Sequence, residues 1–137
     1  MPRPTSTEIA ARIEDLYGAP LADLEAHARD QPPGMLSALL GMHDALALAE
    51  RSIDIHRDHL ARLIHPERQI GLHEVSHLLD GTRRLAEAVA VRDVQATSVA
   101  AVLQSLARVP APTSVPPAPS PPAPAPPLVA RSPVHSR

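Results

Sequence analysis

Apolar side chains recur at alternating steps of three and four residues through the middle of the chain. This spacing places them on one face of an α-helix, and its extent over more than three heptads is typical of a helix that packs lengthwise against another helix. One position in the series, His56, is polar. The pattern predicts a long amphipathic helix over residues 34–64, with this stripe: Leu39, Met42, Leu46, Ala49, Ile53, His56, Leu60 and Leu63.

A second stripe with the same spacing follows Pro66 and predicts a longer helix over residues 66–108. Pro66 fits the first turn of that helix, where its missing N–H is not needed. Because the connection after Ile64 is short, the two long helices should lie antiparallel as a hairpin. The stripe continues across Gly81 and consists of Val75, Leu78, Thr82, Leu85, Val89, Arg92, Ala96, Val99, Leu103 and Leu106.

Two short helices should precede the hairpin. Thr5 and Glu8 have the spacing of a capping box, which predicts a first helix over residues 6–17 with Gly18 as a left-handed cap. Pro20 suits the first position of a second helix over residues 20–30, and Pro32-Pro33-Gly34 then separates it from the hairpin. The sequence therefore predicts an all-α fold, a small helix bundle over residues 1–109.

The predicted lengths of the two long helices differ. At ~1.5 Å per residue they span roughly 46 Å and 64 Å, which leaves an overhang of about 18 Å at the end of the second helix. The apolar residues there need cover from the two N-terminal helices or from a second subunit, and we expect both. The predicted interaction surface consists of Arg92, Val99, Val102, Leu103 and Leu106.

The composition changes at Pro110. Eleven of the seventeen prolines lie between Pro110 and Pro133, interleaved with alanine and serine. Proline lacks an N–H donor and holds the backbone near polyproline II, so residues 110–137 should form an extended, disordered tail rather than a packed domain. A spacer is the favoured role, and a PxxP ligand motif is the alternative.

Charge and composition exclude several classes of function. Residues 1–110 contain 11 arginines and 15 acidic residues, a net charge of −4, which does not suit a nucleic-acid partner. No cysteine, apolar leader or run of eighteen apolar residues occurs, so we expect a cytoplasmic protein without disulfides that does not bind a membrane. The absence of Lys, Asn and Phe, whose codons are AT-rich, indicates a GC-rich genome, and we expect a bacterial one.

The segment His73-Glu74-Val75-Ser76-His77 has the pattern HExxH. Over these five residues the chain resembles the zinc-binding helix of the zincin metallopeptidases. The resemblance implies His73 and His77 as zinc ligands and Glu74 as the general base on a metal-bound water. Asp80, one turn beyond His77, is the candidate third ligand. A metal-binding protein or a zinc-dependent hydrolase is thus the alternative function.

Helical geometry favours a different role for this segment. With about 100° between successive residues, His77, Asp80 and Arg84 lie within about 40° of His73, whereas the stripe from Val75 to Val89 lies at about 120° to 200°. The two histidines should therefore face solvent rather than the hairpin core.

A metal site between the long helices would need several inward ligands, and only the histidine of the first stripe, His56, points inward. The favoured interpretation is a non-enzymatic interaction, structural or adaptor module without a cofactor, which forms a homo-oligomer or binds another protein through helical packing.

Overall fold

The chain folds as a helix bundle in a computed structural model that describes residues 2–108, 120 and 122–125. Four α-helices occur in the order α1 (Ser6–Tyr17), α2 (Leu21–Arg29), α3 (Met35–Leu63) and α4 (Leu72–Ala107). The described residues contain no strand, so the predicted all-α class is confirmed. None of the helices in the described part of the chain is long and apolar enough to cross a bilayer. Most of the predicted disordered tail lies outside the described residues.

The caps of α1 form as the sequence predicts. The Glu8 carboxylate accepts the Thr5 N–H at 2.7 Å, while the Thr5 hydroxyl accepts the Glu8 N–H at 3.3 Å. Gly18 ends the helix with φ 69°, in the left-handed region that glycine tolerates best. Pro20 is the N-cap of α2 rather than, as predicted, its first helical residue, because the helix begins at Leu21. The Glu14 carboxylate accepts the free Leu21 N–H at 2.7 Å.

The connection between α3 and α4 is longer than predicted. It spans residues 64–71, and α4 begins at Leu72 rather than at Pro66. The Glu74 carboxylate accepts the Gly71 N–H at 3.0 Å, so it satisfies one of the amides at the helix start. With 29 and 36 residues, α3 and α4 span roughly 44 Å and 54 Å, so the overhang shrinks to about 10 Å.

The main core lies at the end of the hairpin remote from the connection, which we call the capped half: α1, α2, residues 35–50 of α3 and residues 89–107 of α4. There α1 packs against both long helices, and α2 packs against α1 and α3. Of the two N-terminal helices, α1 contacts α4 and α2 does not, so the expected cover comes from α1, and the expected contribution of a second subunit stays a prediction. The buried cluster consists of Ile9, Ile13, Leu24, Leu39, Leu46, Ala96, Val99 and Leu103.

Polar contacts fix α1 on the hairpin. The Glu50 carboxylate of α3 accepts hydrogen bonds from the Ser6 N–H, at 2.9 Å, and from the Ser6 hydroxyl. Arg3, just before α1, forms an ion pair with Asp93 of α4 at 2.7 Å. Glu50 and Asp93 thus mark the side of the hairpin that α1 covers.

The stripe on α3 is confirmed, because each of its eight positions is buried or half-buried. The stripe on α4 is only partly right. Val75 and Thr82 are exposed, whereas Gly81 and Ala88, which the pattern left out, are buried. A Cβ on Gly81 would lie 3.0 Å from Leu60 Cδ2, so the missing side chain lets the two helices approach closely here. In this region α4 therefore faces α3 with its small residues, Gly81 and Ala88.

The rest of the hairpin, residues 51–88, is the loop half, and no third helix of the described residues covers it. Its buried residues are few: Leu63, Gly81 and Ala88. Large apolar side chains are correspondingly exposed: Ile55, Ile64, Ile70, Leu72, Val75 and Leu79. The same two helices therefore have a three-layered core at one end and a thin two-helix contact at the other.

Candidate functional site: a groove along the hairpin

A groove runs between α3 and α4 along the side of the hairpin that faces away from α1. Residues two apart on a helix point about 200° from each other. Ser52 and Val91 line the groove, and their neighbours two positions away, Glu50 and Asp93, hold α1 on the opposite side. The groove residues are Ala45, Leu48, Ala49, Ser52, Ile55, His56, His59, Arg62, His77, Asp80, Gly81, Arg84, Glu87, Ala88 and Val91.

The part of this groove that lies on the capped half and at its border with the loop half is mainly apolar. Leu48 and Val91 line this part with half or more of their surface exposed, at 58% and 50%, and Ile55, 63% exposed, lines the adjoining part nearer the connection. Small side chains at Ala45, Ala49 and Ala88 form the floor between them. None of these residues belongs to the cluster buried beneath α1. Bulky exposed side chains beside a floor of small ones form a surface on which another helix can pack.

The part nearer the connection is polar and rich in histidine. His56 and His59 of α3 face His77 of α4 across it. Asp80 pairs with Arg84 at 3.1 Å, an ion pair between exposed side chains one turn apart on α4. Of the charged residues that line the whole groove, two are arginines and two are acids, so the groove carries no net charge when its histidines are neutral.

The two histidines of the HExxH segment lie next to each other on the surface of α4. The Nε2 atom of one ring donates to the Nε2 atom of the other at 3.0 Å, and the rings meet edge to face with centroids 4.3 Å apart. Both side chains are exposed. Because Gly81 and Ala88 form the contact with α3, the packing face lies nearer to the histidines than the sequence predicts, and His77 reaches the edge of the groove.

Glu74 has a structural position instead of facing the histidines. Hydrogen bonds from the backbone N–H groups of Glu74 and Gly71 lower the pKa of its carboxyl below the ordinary value of 4.5. A general base of a hydrolase needs a pKa closer to neutrality. Asp80, the predicted third ligand, is engaged by Arg84. Within the described residues, no three His, Cys, Asp or Glu side chains are grouped so that they could hold a metal ion.

The residues predicted to receive a partner lie under α1. Val99 and Leu103 are buried in the core, and Val102 and Leu106 pack against it. Arg92 is half-buried and donates from Nε to Asp93 Oδ1 at 2.7 Å, the same carboxylate that pairs with Arg3. A partner would have to displace α1 to reach the apolar members of this set.

Sequence reasoning missed the apolar groove because it followed a single stripe on each helix. Leu48 and Ile55 lie seven residues apart on α3, outside the main stripe, and Ala88 and Val91 lie three apart on α4. These spacings are a second, shorter helical signal and could have been found. The role of Glu50 had no comparable signal, since its partner Ser6 lies forty-four residues earlier in the chain.

Comparison with known proteins finds no match to the chain among protein families, curated proteins or solved structures.

Proposed function

We propose that the protein is a non-enzymatic interaction module that self-associates through the apolar part of the hairpin groove. The observation that carries this proposal is the exposure of Leu48 and Val91 beside an alanine floor, on a side of the hairpin that no other helix of the described residues covers. Water-exposed apolar side chains gathered in one groove are typical of a surface that binds another protein.

A second copy of the same chain suits the charges of this groove. The groove's two arginines balance its two acids, so a two-fold arrangement would bring a neutral surface against an identical neutral surface. Asp80–Arg84 and Arg83–Glu87 are exposed pairs within α4, which contribute only about 0–1 kcal/mol each and can exchange partners across an interface at little cost. A strongly basic or acidic partner would leave half of these charges unmatched.

The packing of the hairpin also favours a helical partner. Two antiparallel helices alone bury few side chains, whereas two hairpins laid together form a four-helix bundle with a shared core. Ala45, Ala49 and Ala88 would let the partner helix approach closely, and Leu48 and Val91 of each copy would fill the space beside the alanines of the other. Self-association would thereby cover the side of the hairpin opposite to the one that α1 covers.

The mass of the full chain in solution tests this proposal. We expect light scattering or sedimentation at micromolar concentration to give a dimer or a higher oligomer. Val91→Arg places a charge in the groove and should shift the mass towards the monomer. Val94→Arg is the matched control, because Val94 is a similarly exposed valine one turn away, 62% exposed, that does not line the groove.

A monomeric wild-type chain would refute the proposal. If Val91→Arg leaves the oligomer intact, the interface lies on another surface and the groove is not where the chain self-associates. Circular dichroism of both variants should show the same helix content, because both positions are exposed on α4.

A further inference from the structure

The histidine pair on α4 is separate from the apolar part of the groove, and its imidazole rings can bind a metal ion. His73 and His77 are one helical turn apart, and their Nε2 atoms are 3.0 Å from each other. Other histidines are engaged differently: His65 Nδ1 accepts the Glu67 N–H at 3.3 Å, and His43 lies beside Asp44 at 3.3 Å. Two imidazole nitrogens in the described chain thus already lie close together on one face of α4.

The separation of these nitrogens matches that of two ligands on one metal ion. Metal–imidazole bonds are about 2.0–2.1 Å long, so two ligands at a right angle place their nitrogens about 2.9 Å apart, and two tetrahedral ligands about 3.4 Å apart. We propose that His73 and His77 form a bidentate site for a divalent transition-metal ion of the Zn²⁺, Ni²⁺ or Cu²⁺ class, with water in the remaining positions. Imidazole nitrogen is a preferred ligand of these ions.

The helix lowers the entropic cost of this site because α4 fixes both side chains on the same face before the ion binds. Binding replaces one ring-to-ring hydrogen bond by two metal–nitrogen bonds, and both rings must be neutral to bind. Their exposure leaves room for the ion's water ligands. The Glu74 carboxylate accepts the Gly71 N–H, and the Asp80 carboxylate pairs with Arg84. The proposed site therefore uses neither carboxylate as a ligand.

Two ligands from one helix distinguish this site from the catalytic zinc site that the HExxH pattern resembles. A catalytic site has three protein ligands and a free base. The described residues contain no such three-ligand group, which agrees with a binding site completed by water. The proposed role is therefore reversible ion binding at the surface, without hydrolysis.

The test is a titration of the full chain, prepared without a histidine tag, with ZnCl₂ by calorimetry and with CuCl₂ by electron paramagnetic resonance. We expect one ion per chain and a Cu²⁺ spectrum with two imidazole nitrogens. His73→Ala and His77→Ala should each lower the affinity by at least about tenfold, since even loss of an outer-shell partner costs that much. His27→Ala is the matched control, an exposed histidine on α2, and should leave the affinity unchanged.

Three outcomes would overturn the site. One is the absence of binding at one equivalent. The second is an affinity that survives His77→Ala. The third is a loss in His59→Ala as large as in His77→Ala, which would place a ligand on α3, since His59 lies on the opposite wall of the groove. Acidification should release the ion, because a protonated imidazole nitrogen has no lone pair to bind it.

This site does not depend on the proposed self-association. The same titration of the Val91→Arg chain should give the same stoichiometry and affinity, because Val91 is fourteen residues from His77 and more than three turns away along α4. Binding that disappears together with the oligomer would contradict a site confined to one α4 helix.

Discussion

The capped half and the loop half of the hairpin use the same two helices but are held together differently. In the capped half, α1 and α2 add a layer, and the core consists of large side chains such as Ile13, Leu39 and Leu46 with no exposed surface. In the loop half the contact depends on Gly81 and Ala88, and large side chains such as Leu79 remain exposed. In the loop half, the two helices are held by close approach of their backbones rather than by the packing of large side chains.

This difference bears on function because a surface available for binding must first be left uncovered. The capped half uses its stripe residues for its own stability, so they offer little to a partner. The groove on the opposite side and the loop half keep apolar and histidine side chains at the surface. In the proposed assembly, the side of the hairpin that α1 covers would supply stability and the opposite side would supply the binding surface.

The largest expected contrast comes from truncating one leucine in each half. Leu46→Ala removes a fully buried side chain from the main cluster and should lower the free energy of unfolding by about 2–5 kcal/mol. Leu79→Ala, at a position 70% exposed, should change it by less than about 0.5 kcal/mol. Urea unfolding of both variants measures the contrast. Equal losses would mean that the loop half has a core of its own, formed with a partner.

The close contact at Gly81 is tested by adding a side chain. Gly81→Val should force α3 and α4 apart at Leu60 and lower the free energy of unfolding by about 1–3 kcal/mol. Gly41→Val is the control, because nothing lies within 4 Å of a Cβ at Gly41 and valine favours a helix more than glycine does. Thermal unfolding followed by circular dichroism compares the two. A stabilised Gly81→Val chain would show that Leu60 moves aside freely.

A smaller effect is expected from the contact that holds α1. Glu50→Ala leaves the Ser6 N–H and hydroxyl without their acceptor and should lower the free energy of unfolding by about 1–1.5 kcal/mol. Arg83→Ala, which removes an exposed ion pair with Glu87 and lies outside the groove, should have almost no effect. Amide exchange adds a local measurement, since protection should fall first in α1. Unchanged exchange in α1 would mean that Ile9 and Ile13 alone fix the helix.

Elements that depend on local spacing were predictable from the sequence. The α3 stripe, the Thr5–Glu8 capping box and the left-handed Gly18 are set by residues within one or two turns of each other, and all three are confirmed. The start of α4 was wrong by six residues, because Pro66 has the chemistry of a helix start but Gly71 and Glu74 also form one. The hydrophobic pattern cannot choose between two competing caps.

The sequence alone determined that the described chain forms helices, where three of the four lie, and which face of α3 is apolar. Those properties follow from side-chain periodicity and capping, which act over a few residues. The tertiary structure decided which face of α4 meets α3, which end of the hairpin α1 covers, and where His77 lies relative to the groove. These depend on how closely two distant segments approach, and at Gly81 a missing side chain, which no hydrophobic pattern records, sets that distance.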